Sequence, residues 1–281
     1  MIETLTPLTD QQREIQALAR DFATRELAPF AGAWDKAGEP DPAVIGKLGA
    51  LGFLGMLLPE AYGGHALDTL SYLLALEEIA AGDASTAVAM SVHNSLPTKM
   101  INTFGSDAQK ALFLPRMASG AWLGAFALSE PEAGSDASAV RVQAVRDGND
   151  WILDGTKAWV TNGNRAHVIL VMARTDTAEA RQGSRGISAF IITPDLPGFR
   201  IGKMEDKMGL RASPTVQLAF DGMRVPGDRL LGTEGQGFVY AMKSLEAGRL
   251  GIAAQAVGIA RAALSHSIAY TKVRHQFGKP L

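Results

Sequence analysis

Residues 127–139 read ALSEPEAGSDASA and lie where the character of the sequence changes. The chain before them favours helices, and the chain after them breaks into short β-rich segments. Taken alone, Ser129–Asp136 could be a loop in which serine and aspartate side chains bond to nearby backbone groups. The stretch therefore marks the expected junction between a helical domain and a β domain.

The first part of the chain carries helix-start signals. Thr9 with Gln12 and Ser106 with Gln109 have the spacing of capping boxes. Asp41–Pro42 places a capping side chain before a proline, which suits a first helical position. Apolar residues then recur at helical spacing after each start. We expect helices throughout this part of the chain.

The middle of the chain predicts strands. Its segments are short, rich in β-branched and aromatic residues, and bounded by turn residues. They span residues 122–128, 140–146, 151–155, 157–161, 168–174, 187–193 and 215–225. This pattern is typical of an all-β domain, either a barrel or a sandwich.

The helical pattern returns after residues 232–237 (GTEGQG), which we interpret as a domain-joining turn and not as a dinucleotide loop. One helix is expected from about residue 238 to about 270, followed by VRHQFGKPL. A long helix with an apolar face must bury that face. Either the N-terminal helices and another subunit cover it, or the chain continues past Leu281 with partner helices, and we expect the second.

The fold class expected is therefore α+β and multidomain. It has an N-terminal α-helical domain, a middle β-barrel or sandwich domain and the start of a C-terminal helical bundle. The expected boundaries are 1–120, 121–230 and 231–281.

Composition excludes several functions. A formal net charge of −2 argues against a nucleic-acid partner. The sequence has no cysteine, so disulfides and thiolate nucleophiles are excluded, and its five histidines are scattered, so no metal site is expected. The apolar run 50–58 is too short to span a hydrocarbon core of about 30 Å, and the N-terminus lacks a secretory pattern. We expect a cytoplasmic protein without membrane insertion.

The stretch 127–136 resembles the first signature of the acyl-CoA dehydrogenase family, which has a small residue, an aliphatic one, Ser/Thr, Glu, two free positions, a small residue, Gly, Ser/Thr and Asp. Every constrained position fits. Further family-like segments follow in the expected order at 157–162 (KAWVTN), 207–213 (KMGLRAS), 245–249 (LEAGR) and 274–279 (RHQFGK). Residues 91–96 and 251–258 look closest to short-chain, butyryl-CoA-type members.

The resemblance implies an FAD site. Ser129 would bind the pyrimidine end of the flavin, Trp159 would pack against the isoalloxazine, and Thr161 would point at N5. The cofactor-binding residues implied are Phe126, Ala127, Leu128, Ser129, Gly134, Ser135, Trp159, Val160 and Thr161. Arg274, Gln276 and Phe277 are implied to bind the FAD of a neighbouring subunit, which makes a homo-oligomer, a homotetramer built as a dimer of dimers, part of cofactor binding.

Simpler readings of these residues stay open. Trp159 alone is more often a half-buried strand aromatic, and Arg274 alone is a helix-end cation. Glu246 is explained equally well by a surface ion pair. Only their place in the family pattern favours the functional roles.

The reaction implied is α,β-dehydrogenation of an acyl-CoA thioester in fatty acid metabolism, with electron-transferring flavoprotein as electron acceptor. Ser135, Glu246 and Arg249 match positions that line the substrate site. Relatives place the catalytic glutamate either at the position of Gly248 or on a helix beyond Leu281. We therefore expect the base beyond Leu281, and impaired activity of these 281 residues alone.

Other functions remain to be separated from this one. A flavin-dependent oxidase or monooxygenase on the same fold would react readily with oxygen. A non-catalytic relative would bind acyl-CoA without flavin reduction. A purely structural protein would bind no flavin.

Overall fold

The computed structural model describes residues 7–176 and 183–281. Its elements fall into three consecutive groups, which are a set of helices, a sheet and one long helix. The helices are α1 (Asp10–Phe22), α2 (Ala31–Ala37), α3 (Ala43–Ala50), α4 (Thr69–Gly82), α5 (Ala84–His93), α6 (Lys99–Phe104), α7 (Asp107–Ala118) and α8 (Gly237–Val273). The strands are β1 (Gly124–Ala127), β2 (Gln143–Asp147), β3 (Asp150–Thr161), β4 (Val168–Arg174), β5 (Ile187–Ile192), β6 (Phe199–Met204), β7 (Thr215–Val225), β8 (His275–Gln276) and β9 (Lys279–Pro280).

The helix-start signals of the sequence are confirmed. Thr9 accepts a hydrogen bond from the backbone N–H of Gln12, and the Gln12 side chain accepts one from the N–H of Thr9. Ser106 and Gln109 make the same reciprocal pair at the start of α7. Asp41 accepts from the N–H of Ala43, so α3 begins one residue later than the proline position predicted.

A π-helical turn, Asn94–Thr98, joins α5 to α6. Pro97 lies inside this turn and has no N–H to donate to a regular helical ladder. The side chain of Asn94 donates to the carbonyls of Met90 and Phe53, at 3.0 Å each. The extra residue of a π turn displaces the following side chains around the helix. Here it carries residues of the turn to the edge of the sheet.

The sheet has the order β1-β4-β2-β3-β7-β6, and β5 also pairs with β4. It curls around one core that contains Trp151, Phe190 and Leu218. The segments 151–155 and 157–161 form the single strand β3, because Gly155 takes a φ of +131° and carries the chain through a register shift instead of a turn.

Strand β6 was not expected from the sequence. It pairs only with β7 and is exposed along most of its length. An edge strand that buries neither face needs no alternation of apolar and polar residues. Its sequence, FRIGKM, therefore lacks the period that reveals half-buried strands.

Strand β4 connects the sheet to the helices. All seven of its residues are buried. Ile169 and Val171 face the core of the curled sheet, while Leu170 and Met172 pack in a second cluster with Phe113 of α7. A strand buried on both faces reads as a continuous apolar run, which is the pattern VILVMA shows.

The long helix α8 approaches α4 closely. A Cβ added at Gly258 would lie 2.2 Å from the carbonyl oxygen of Glu77, so this crossing requires glycine. Beyond the crossing, α8 carries exposed apolar side chains, among them Leu264, Ile268 and Val273. Within residues 7–176 and 183–281, no helix is both long enough and apolar enough to cross a membrane.

Glu78 of α4 joins three helices. Its carboxylate is 3% exposed and accepts from Arg20 of α1 at 2.7 Å and from Arg261 of α8 at 2.6 and 3.0 Å. Gln16 adds a fourth bond at 3.1 Å. Burial raises the pKa of Glu78, but the hydrogen bonds from both arginines outweigh it, so the pKa lies below its ordinary value.

We expect Glu78→Gln to lower the free energy of unfolding by about 1–3 kcal/mol at neutral pH, because two arginines lose their shared charge partner while both remain partly hydrated. The lowered pKa means that the wild-type advantage is present above the ordinary glutamate pKa of about 4.3 and is lost as the pH falls below it. Urea unfolding of both proteins across this pH range measures the difference.

Glu14→Gln, on the exposed surface of α1, is the matched control and is expected to change stability by less than about 0.5 kcal/mol. Glu78 would be shown not to hold the helices together by either of two results. One is an equal loss of unfolding free energy in both variants, and the other is a difference between wild type and Glu78→Gln that does not decrease at low pH.

Candidate functional site

The signature stretch forms a tight loop directly after β1. The backbone groups of Glu130 and Ala133 exchange two hydrogen bonds, at 2.9 and 3.1 Å, across Pro131 and Glu132. Farther on, Asp136 accepts from the N–H of Ser138 at 3.2 Å. The acidic residues Glu130 and Asp136 of the signature thus have structural roles. Its serines Ser129 and Ser135 line the cavity described below.

A buried ion pair fixes this loop to strand β3. The ammonium of Lys157 lies 2.7 Å from the carboxylate of Glu130, and their side chains are 0% and 3% exposed. Lys157 also donates to the carbonyl of Leu128 at 2.8 Å. The same carboxylate accepts from the N–H groups of Arg141 and Val142, at 2.6 and 3.0 Å.

Two hydrogen bonds from Lys157 therefore hold the start of the loop against β3, and two more join Glu130 to the end of the loop at Arg141 and Val142. Burial lowers the pKa of Lys157 to about 8, although the charge of Glu130 and its hydrogen bond act in the opposite direction. At neutral pH Lys157 therefore keeps its positive charge, and the Glu130 carboxylate is its partner in a buried place. Such a pair resists separation, since either charge alone would be strongly destabilising.

A β-bulge turns Trp159 out of strand β3. The register with β7 shifts between Lys157 and Val160, and Trp159 has a φ of +56°. In the same bulge, the N–H of Ala158 donates to the carbonyl of Ser129 at 2.9 Å. The Trp159 ring is 58% exposed, unlike its neighbours on the strand. A positive φ is costly for a bulky residue and occurs where a site demands it.

The loop, the bulge, the π turn and α8 enclose a cavity of about 430 Å³. Ser129, Ser135 and Thr161 supply hydroxyls to its wall, and Trp159 supplies an aromatic surface. Its lining residues are Val92, Leu96, Phe126, Leu128, Ser129, Gly134, Ser135, Ala137, Ala158, Trp159, Thr161, Met242, Leu245 and Arg249. We call it the loop cavity.

Most residues implied for cofactor binding by the resemblance meet in the loop cavity. Phe126, Leu128, Ser129, Gly134, Ser135, Trp159 and Thr161 line it, and Arg249 joins them from α8. Ala127 and Val160 are fully buried in the core of the sheet, so only their backbone groups are near it.

The remaining candidates lie elsewhere on this chain. Glu246 is exposed on α8 and does not line the loop cavity. Arg274, Gln276 and Phe277 lie in the β8–β9 hairpin at the far end of α8, where the Phe277 ring is 97% exposed. Their implied roles stay predictions.

An apolar groove continues from the loop cavity between the π turn and α8. Its volume is about 570 Å³, and its lining residues are Ser91, Val92, Ser95, Leu96, Leu245, Gly248, Arg249, Ile252, Ala253 and Ala256. Val92, Leu96, Leu245 and Arg249 belong to both spaces. No carboxylate lines either space within residues 7–176 and 183–281.

Gly248 keeps the groove open on the side of α8. A Cβ at this position would lie 3.4 Å from the hydroxyl oxygen of Ser95, with the side chain of Leu96 also in contact range. Any larger side chain would extend into the groove. The groove therefore accepts a narrow, apolar ligand segment beside the loop cavity.

His93 connects the helices to the sheet. Its ring is fully buried, and its Nδ1 accepts from the N–H of Gly124 at 3.0 Å. Burial lowers its pKa to about 4, so the ring is neutral at physiological pH. This geometry gives His93 a structural role.

Two features of the site were not recognised in the sequence. The sequence did not reveal that Glu130 and Lys157 fix the loop to β3, although both lie inside segments that resemble the family. The π turn that places Leu96 at the site was also missed, because no residue pattern predicts it, whereas Val92 lies in α5 just before that turn. An acidic side chain followed 27 residues later by a lysine carries no signal of its own.

The residues of the loop cavity fit a flavin. A flat ring system requires an aromatic or apolar face and several donors and acceptors along one edge. Trp159 provides the face, while the loop provides backbone groups and the hydroxyls of Ser129 and Thr161. In the part of the chain that the structure describes, no group of three or more potential ligands could hold a metal ion.

Family descriptions match nearly the whole chain. The acyl-CoA dehydrogenase N-terminal domain matches residues 9–121, the middle domain matches residues 125–223, and the C-terminal domain matches residues 235–281.

Named relatives agree. The chain is 45% identical to the acyl-CoA dehydrogenase of Bacillus subtilis (strain 168), covering 98% of this chain and 72% of that protein. It is 46% identical to the mitochondrial short-chain specific acyl-CoA dehydrogenase of Rattus norvegicus, covering 98% and 66%. The chain thus spans about two thirds of the length of these relatives.

Solved structures share the fold and the family. Butyryl-CoA dehydrogenase from Megasphaera elsdenii has a TM-score of 0.94 at 44% identity, covering 99% of this chain and 73% of that one. A chain from a study of the electron transferring flavoprotein of Acidaminococcus fermentans has a TM-score of 0.95 at 46% identity, with 99% and 72% covered. Glutaryl-CoA dehydrogenase from Mycobacterium smegmatis in complex with FADH2 has a TM-score of 0.90 at 39% identity, with 98% and 68% covered. The chain therefore belongs to the acyl-CoA dehydrogenase family, a family of FAD-dependent oxidoreductases.

Proposed function

We propose that the chain carries the flavin site and the acyl groove of an enzyme that dehydrogenates a short acyl-CoA thioester to its trans-2-enoyl-CoA. The observation that carries the proposal is the loop cavity opening into an apolar groove, with Arg249 at their boundary. A cofactor and an acyl chain could then lie side by side. The short-chain names of the relatives support the substrate class.

The residues of this chain would bind and orient FAD. Ser129 and the backbone of the loop would bond to the pyrimidine edge, Thr161 would face N5, and Trp159 would cover one face of the ring. When bound, FAD supplies the redox chemistry by accepting a hydride from the substrate Cβ. Holding the reactants at short distance and excluding water account for much of the acceleration in such sites.

The groove would hold the acyl chain, and its apolar walls would exclude water from the reacting carbons. Ser135 and Arg249 are the proposed substrate contacts beside it. Glu246 lies on the exposed side of α8, and its role in substrate binding stays a prediction.

Removal of the α-proton requires a base. Neither space is lined by a carboxylate in the residues described, and Glu246 lies outside both. We therefore keep the proposal that a glutamate beyond Leu281 is the base, and that activity is impaired without it.

The partners proposed are a second subunit and an electron acceptor. Arg274, Gln276 and Phe277 protrude on the hairpin, where they are accessible to the FAD of a neighbouring subunit in a homotetramer. The similarity to a chain studied with electron transferring flavoprotein supports that protein as the acceptor. A cytoplasmic location stays a prediction.

FAD uptake tests the flavin site. We expect the purified chain to take up FAD with flavin absorbance bands, and Thr161→Val to weaken binding by about three- to tenfold, because one neutral hydrogen bond is lost. Thr156→Val, on the same strand outside the cavity, is the control and is expected to bind FAD as the wild type does. Absence of flavin uptake at saturating FAD would contradict the proposed site.

Anaerobic addition of butyryl-CoA to the FAD-loaded chain tests the base. We expect the flavin bands to persist with these 281 residues and to bleach when the chain is extended to include the glutamate. Bleaching without the extension would show that the base lies within this chain, whereas persistence in both would contradict the dehydrogenase proposal. Rapid reoxidation of the reduced protein in air would indicate an oxidase instead.

Lys157→Met tests the anchor of the loop. We expect it to lower the free energy of unfolding by about 3–5 kcal/mol, because Glu130 is left buried without its cation, and to weaken FAD binding by about tenfold or more, since one end of the loop is released. Thermal unfolding and fluorescence titration with FAD measure the two effects. Lys243→Met, on the exposed surface of α8, is the control.

The double variant E130Q/K157M separates the loss of the anchor from a general loss of stability. Removing both charges should restore part of the stability, because no unpaired charge remains. FAD binding should stay weak, since the bond from Lys157 to Leu128 is still absent. Wild-type affinity in the double variant would contradict the anchoring role.

A further inference from the structure

A separate cavity of about 620 Å³ lies between α7 and the turn that follows β3, and it shares no lining residue with the loop cavity or the groove. Its lining residues are Leu112, Phe113, Arg116, Trp122, Gly163, Asn164, Arg165, Ala166, His167, Thr193, Pro194, Asp195, Ile201 and Arg229. We call it the arginine cavity. The proposed dehydrogenation uses none of these residues.

Two of its arginines stack on aromatic rings. The guanidinium of Arg116 lies 4.5 Å from the centre of the Trp122 ring, and that of Arg229 lies 5.1 Å from the centre of the Phe113 ring. The two rings are themselves 6.0 Å apart. Stacking on a ring orients a guanidinium without neutralising its charge.

The backbone that carries Arg229 is also held in place. The side-chain amide of Gln109 donates to the carbonyls of Asp228 and Leu230, at 2.7 and 2.9 Å. Gln109 itself is fixed by the capping box of α7. Arg229 is therefore presented from a rigid turn.

The third arginine, Arg165, is partly buried. Burial lowers its pKa to about 10, with only a partial opposing effect from Glu39. Its Nη2 donates to the side-chain oxygen of Asn162 at 3.0 Å, while its Nε has no hydrogen-bond partner. A guanidinium in such surroundings is costly unless an anion lies nearby.

Carboxylates do not balance these cations in the described ranges. Arg116 and Arg165 form no ion pair there, and Arg229 makes only a 3.6 Å contact with Asp228, which is 81% exposed. Asp195 is the one carboxylate in the lining given above, and it is exposed. Three guanidinium groups therefore share one cavity with a clear excess of positive charge.

His167 adds a further donor. Its Nδ1 accepts from the N–H of Leu123 at 3.2 Å, which leaves Nε2 as the nitrogen that can donate to a ligand. Apolar surface from Leu112 and Ile201 completes the wall. This combination suits a ligand with an anionic group and a small apolar part.

We infer that the arginine cavity binds a phosphate-bearing small molecule, with its phosphates on Arg116, Arg165 and Arg229. Guanidinium groups match phosphate oxygens with paired hydrogen bonds, and three of them favour a di- or polyphosphate over a single carboxylate. The volume lies within the usual range for small-molecule sites. The site is independent of the dehydrogenation and does not rest on it.

Isothermal titration with inorganic pyrophosphate tests the inference, using the chain saturated with FAD so that the loop cavity is blocked. We expect saturable binding that weakens with added salt. Arg116→Gln and Arg229→Gln should each weaken it by about tenfold or more, because each removes one charge-assisted contact. Arg25→Gln, whose arginine pairs with Asp21 on α1, is the control and should leave binding unchanged.

Other results would overturn the inference. These are no binding at low salt, equal binding to the R116Q/R229Q double variant and the wild type, or complete displacement by CoA with no effect of the arginine substitutions. The last result would place the anion at the thioester site. Circular dichroism of each variant checks its folding, and repeating the titration without FAD keeps the outcome separate from that of the flavin proposal.

Discussion

The buried pair of Lys157 and Glu130 is the interaction on which the proposed flavin site depends. It ties the loop after β1 to strand β3 at the place where β3 departs from regular geometry. A bulky residue with positive φ costs on the order of 1–3 kcal/mol, whereas breaking a buried ion pair costs about 3–5 kcal/mol. The anchor is therefore strong enough to maintain the conformation that turns Trp159 toward the cavity.

The helices form the other side of the site, and a π turn and a buried histidine position them there. Val92 near the end of α5 and Leu96 in the π turn line the cavity, and His93 bonds this segment to the start of β1. Glu78 then holds α8 against the same helical layer through Arg261. Each wall of the groove is thus fixed by buried polar bonds as well as by apolar packing, which sets the width available to a ligand.

Much of this architecture could be read from the sequence, and the exceptions have physical causes. Capping boxes and the β4 run are local signals, because each depends on residues close in the chain. Strand β6 was missed since an edge strand needs no alternation, and β3 was divided because Asp154 and Gly155 read as a turn. The anchoring of the loop was missed because Lys157 and Glu130 meet only after the chain has folded.

The loop cavity and the groove depend on different residues, and this separation affects how the site could evolve. Lys157 and Glu130, which hold the loop after β1 in place, are buried and do not line the groove, so they constrain the proposed cofactor site more than the proposed substrate site. The groove is lined by small side chains of α8, including Gly248 and Ala253, whose enlargement would leave the Lys157 anchor untouched. Acyl preference can therefore change along α8 while the flavin platform stays the same, because the two depend on different bonds.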